Sequence, residues 1–101
     1  MEKMMKAVFI VYNQALTERV ADLLDRTGAR GFTQWQDVMG RGSKTGEPHM
    51  GTHTWPAMNT AILSVVEEEQ AARLLQGVRE INAKAEAQGI RAFVWEVQGM
   101  V

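Results

Sequence analysis

The sequence predicts an α+β sandwich in which one four-stranded antiparallel sheet carries two helices on a single face. Three observations point there. Two stretches with helical periodicity are interleaved with four short runs rich in β-branched and aromatic residues, in the order β-α-β-β-α-β. The first and third runs are the most continuously apolar, as the central strands of that arrangement should be, and the second and fourth are interrupted by polar residues, as edges should be. Each β-α-β half crosses over right-handedly, which brings both helices to one side. At 101 residues the chain is expected to form one domain, 1–101, around one core.

The elements follow in order. Residues 6–12, KAVFIVY, are too short for a helix and give the first strand. Leu16, Val20, Leu23 and Leu24 fall on one helical stripe. Asn13 or Thr17 is placed to cap its start, and Gly28 to supply the left-handed residue that ends it. GFTQWQDVM, 31–39, is a second and more polar strand; NTAILSVV, 59–66, is a third. Glu67, Glu68 and Glu69 sit where a helix begins, favoured by the positive end of its dipole. Ala71, Leu74, Leu75, Val78, Ile81 and Ala85 carry the helical spacing to about Gln88, and Gly89 stops it. IRAFVWEV, 90–97, is the last strand. This is the order of the ferredoxin-like βαββαβ sandwich.

Two helices cover only one face of such a sheet, so the central strands of a lone copy should alternate apolar and polar. Here Ala7, Val8, Phe9, Ile10 and Val11 are apolar on both faces, as are Ala61, Ile62, Leu63, Val65 and Val66. The second face needs a cover, and another subunit is the expected one. The net charge of -1 offers no basic field for nucleic acid. No apolar run reaches the roughly 20 residues of a membrane span. The N-terminal MEKMMKAVFIVY superficially resembles a signal peptide, but it runs into a periodic helix without a small-residue cleavage site. With no cysteine there is neither a disulfide framework nor a thiolate nucleophile, and a cytoplasmic location without membrane insertion is expected.

The segment GRGSKTGEPHMGTHTWP, 40–56, belongs to no element. Gly40, Gly42, Gly46 and Gly51 could turn backbone N–H groups toward an anion, with Arg41 and Lys44 adding charge. The plainer alternative is a flexible loop kept soluble by its cations. Glu47, His49 and His53 offer three donors to a divalent metal, although Pro48, Gly51 and Pro56 exclude a helix that would align them. Solvated loop histidines are the alternative there. Trp55, held extended by Pro56, suits an anchor for the loop's return. Trp35 and Trp95, on the edge strands, suit core or interface packing. No serine lies in a nucleophile elbow and no acid pair marks a cleft, so an enzyme is not expected.

GFTQWQDVMGRGSKTG resembles the second strand and loop base of PII signalling proteins, in which a Gly-hydrophobic-Thr strand leads to a Gly-x-Gly-Arg base and a long T-loop. RVADLLDRTG is similar to their first helix, and NTAILSVVEEEQAARLLQGV to their third strand and second helix. GTHTWP after a shortened loop is closer to small PII-like members than to the nitrogen regulators themselves. The resemblance implies a homotrimer with inward-facing sheets. Gly40, Arg41, Gly42 and Lys44 would line an effector cleft between subunits. Glu47, His49, His53 and Trp55 would lie in a loop, about 40–58, that docks on a transporter or regulatory protein. It implies a small-molecule effector, an adenine nucleotide or other anion. A metal-binding accessory of an efflux or tolerance system, with His49, His53 and Glu47 as ligands, is the alternative. Two features depart from the nitrogen-regulator pattern. No glycine-rich phosphate turn with its lysine precedes the second helix, where VVEEEQ is acidic, and the tyrosine used for covalent modification is missing from the loop.

Overall fold

The computed structural model describes residues 4–40, 58–85 and 88–101. Strand β1 (Met5–Asn13) runs through a 3-10 turn (Gln14–Leu16) into helix α1 (Thr17–Thr27). Then come β2 (Thr33–Val38), β3 (Asn59–Glu67), α2 (Glu68–Lys84) and β4 (Ile90–Glu96). The sheet order is β2-β3-β1-β4, every pair antiparallel, so the two most apolar strands are central as expected.

Several boundaries differ from the sequence reading for local reasons. Asn13 caps the 3-10 turn, not α1: its Oδ1 accepts the Ala15 N–H at 2.9 Å. Thr17 does not cap the start of α1 but ends the 3-10 turn, its hydroxyl donating back to the Gln14 carbonyl at 2.6 Å. Gly28 does end α1, with φ 76; its N–H reaches the Asp25 carbonyl and the Ala29 N–H that of Leu24, the bond pair of a Schellman motif. β2 begins at Thr33 and not Gly31, whose carbonyl is held by the Ser64 hydroxyl at 2.7 Å. α2 stops at Lys84, short of Gln88.

Even-numbered residues of the central strands face the helices. Val8, Ile10, Tyr12, Ile62 and Val66 are buried there against Leu16, Val20, Leu23 and Leu24, and against Leu74, Val78 and Ile81 of α2. At Gly77 the helices meet so closely that a Cβ would collide with the Leu23 side chain. Burial raises the pKa of the Tyr12 phenol, an effect that hydrogen bonds with Thr17 and Thr60 partly offset. Among the described residues no buried side-chain nitrogen or oxygen lacks a partner.

Odd-numbered residues face the other way, and directly opposed residues share a face. Phe9 lies opposite Leu63 and Phe93, Ala7 opposite Trp95, and Ala61 between Val11 and Trp35. The Phe9 and Trp35 rings touch, with centroids 6.5 Å apart. Yet Phe93 is 53%, Trp95 50% and Trp35 45% exposed, which is incompatible with a core and leaves a continuous aromatic surface with no helix over it. At one end of the sheet β1 starts beside the finish of β4. There Lys6 lies opposite Glu96, with an ion pair at 3.3 Å, and the Val97 N–H reaches the Met5 carbonyl.

Candidate functional site

The opposite end of the sheet is where the irregular connections gather. β1 finishes at Asn13 opposite Asn59, the first residue of β3; Val38, the last of β2, also lies opposite Asn59; and Ile90, the first of β4, lies opposite Tyr12. Backbone bonds tie these ends together. The Asn13 N–H donates to the Gly89 carbonyl at 3.1 Å, and the Gln14 N–H to the Met58 carbonyl at 3.0 Å. Gly89 has φ 87, a left-handed conformation that lets the chain turn sharply from α2 into β4.

On the open face beside this end lies a groove of about 370 Å³, lined by Phe9, Val11, Trp35, Val38, Met39 and Ala61. Its walls are apolar and two of them aromatic, suited to a flat hydrophobic ring system. Arg91 lies opposite Val11 in the ladder, on the same sheet face, and is exposed. An exposed arginine paired with a lining residue of an apolar slot suits a ligand with one flat apolar part and one anionic part.

Of the residues singled out in the sequence, Gly40 is placed at the end of β2. A Cβ there would come within 2.7 Å of Asn59 Nδ2, so the glycine allows close approach of the two strands. Arg41, Gly42, Lys44, Glu47, His49, His53 and Trp55 lie outside the described residues. Among the described residues no group of three His, Cys, Asp or Glu side chains could hold a metal. Trp35 does not pack in the core; it walls the groove.

The acidic start of α2 lies away from the groove. Glu67 lies opposite Met5, at the end of the sheet remote from the groove. Its side chain caps the helix, while the Gln70 side chain accepts the Glu67 N–H at 3.1 Å, a reciprocal capping box. These glutamates begin α2, with Glu67 as its N-cap and Glu68 and Glu69 in the first turn. The groove's neighbour is instead the turn through Gly89 into Arg91. Sequence reasoning missed Arg91, Val38 and Met39. Alternation along β4 would have put Arg91 on the open face with Phe93 and Trp95, the one signal available.

The family model for nitrogen regulatory protein P-II matches residues 5–101. The chain belongs to the P-II family. No functionally curated protein matches it. Among solved structures it is similar to CPII, a nitrogen regulatory PII-like protein from Thiomonas intermedia K12 bound to ADP, AMP and bicarbonate. They share 28% identity over 93% of this chain and 86% of that one, with a TM-score of 0.75. It is also similar, at 27% identity, to a protein of Thermus thermophilus assigned as PII-like signalling, covering 94% and 88% with a TM-score of 0.67. A DUF3240 family protein of Shewanella baltica OS155 covers 100% and 97% with a TM-score of 0.68, but at 13% identity it shares the fold alone. The ferredoxin-like architecture expected from the sequence is therefore that of a P-II family protein, and the membership agrees with the resemblance found in residues 31–46.

Proposed function

We propose that this P-II family chain is a regulatory protein, not an enzyme, that assembles through its open sheet face into a homotrimer and takes an adenine nucleotide in the groove at the loop-bearing end. The observation that carries the reading is the groove itself: an apolar slot walled by Phe9 and Trp35, with Arg91 opposite Val11, another of its lining residues. Trp35 and Phe9 would stack on the base, and Arg91 would pair with a phosphate. Supporting it, CPII structures hold ADP and AMP with bicarbonate or acetate. Effector occupancy would then bias the 40–56 segment between states that differ in affinity for a partner protein, a transporter or a regulator.

Calorimetry with AMP, ADP, ATP and bicarbonate tests the ligand half. Binding of AMP or ADP is expected, with a roughly tenfold weakening in Arg91→Ala as a charge-assisted pair is lost. No heat with any of the four would remove this reading.

A further inference from the structure

β2 reaches the groove through an irregularity. It pairs regularly with β3 as far as Trp35 opposite Ala61, but the next pair is Val38 opposite Asn59, so β2 carries one residue in excess. In an unbroken strand, alternation would leave Asp37 on the open face and turn Val38 toward the helices. The bulge reverses this, and Val38 joins Trp35 and Ala61 in lining the groove. Asp37 absorbs the extra residue. It has φ 57, and it is the one non-glycine residue with positive φ among the described residues. Few side chains tolerate that conformation, Asn and Asp being the usual ones.

Asp37 is also held from outside its strand. Gln14 Nε2 donates to Asp37 Oδ1 at 2.6 Å, while the Gln14 backbone N–H donates to the Met58 carbonyl. One residue after β1 thus grips the end of β2 and the start of β3. The Gln14–Asp37 bond is exposed, and neither residue belongs to the buried cluster under the helices. Neither lines the groove.

We propose that Asp37 and Gln14 are positioning residues: the left-handed Asp37, latched by the Gln14 amide, fixes which face of β2 borders the groove. Only the binding arm of the test rests on the effector reading above. What matters at position 37 is tolerance of left-handed backbone plus an oxygen for the amide, and charge is secondary. Asp37→Asn keeps both, Asp37→Gly keeps the first, and Asp37→Ala keeps neither.

Methyl-resolved NMR reads the position of Val38 without any ligand, and AMP or ADP titration reads the consequence. The wild type and Asp37→Asn are expected to show cross-peaks between the Val38 and Ala61 methyls. Asp37→Ala and Gln14→Ala should lose or weaken them while melting near the wild type, with Asp37→Gly as the milder variant should Asp37→Ala not fold. Nucleotide affinity should fall about tenfold in Asp37→Ala, less in Gln14→Ala, and stay near the wild type in Asp37→Asn. Unchanged Val38 cross-peaks in Asp37→Ala would overturn the proposal, and so would an Asp37→Asn that behaves like Asp37→Ala. A wild type that binds no nucleotide while the cross-peaks follow the series would refute the effector reading and support the positioning role.

Discussion

The two faces of the sheet are made of the same strands, and often of neighbouring residues, yet they meet opposite fates. Under the helices, Val8, Ile10, Ile62 and Val66 are sealed among leucines, and polar groups there have partners, as with Ser64 on the Gly31 carbonyl. One position along, Phe9, Val65, Phe93 and Trp95 are equally apolar but uncovered or only partly covered. The difference teaches that apolarity along these strands carries two separate signals. The even-numbered set specifies the fold of a single copy, and the odd-numbered set supplies surface that gains by meeting something else.

That division is open to attack, beginning where the effect should be greatest. Leu74→Ala removes a fully buried side chain from the covered face and should lower unfolding free energy by about 2–5 kcal/mol in a urea titration. Phe93→Glu, on the open face, should leave each copy folded by circular dichroism but reduce the sedimenting species to a single 11.3 kDa chain. A wild type that already sediments as one chain would break the comparison. Ser64→Ala strips the Gly31 carbonyl of its partner and is expected to remove about 1 kcal/mol, a test of how tightly the covered face is tied to the edge strand. Glu96→Gln should have the smallest effect. Its pair with Lys6 is largely solvated on the glutamate side, and any destabilisation, below about 1 kcal/mol, should vanish at high salt.

The fold was legible because three levels agreed: the helical stripes, the turn residues Gly28 and Gly89, and the apolar excess of the central strands. The boundaries were less so, since side chains competed with the backbone. Asn13 and Thr17 both look like caps of α1, but each serves the 3-10 turn instead. Of the candidate site, Gly40 was singled out from composition and family likeness and lies beside Asn59, while Arg41, Gly42 and Lys44 lie outside the described residues. The groove itself comes from register. Nothing in QWQDV announces that Asp37 bulges out and turns Val38 over, because the excess residue exists only relative to a partner strand distant in sequence. The distance of the acidic VVEEEQ from the groove is likewise set by strand direction, which composition does not encode.

The adjacency of Lys6 and Glu96 has a further consequence. The start of β1 and the finish of β4 lie side by side, about 10 Å along β1 from Phe9, a groove residue on that strand. A short peptide bridging them, with new termini opened somewhere in 41–57, would reorder the covalent chain while sparing every ladder among the described residues. Labels or reporter domains fused beyond these strand ends would likewise sit at the end of the sheet opposite the irregular connections, clear of the groove's loop-bearing side.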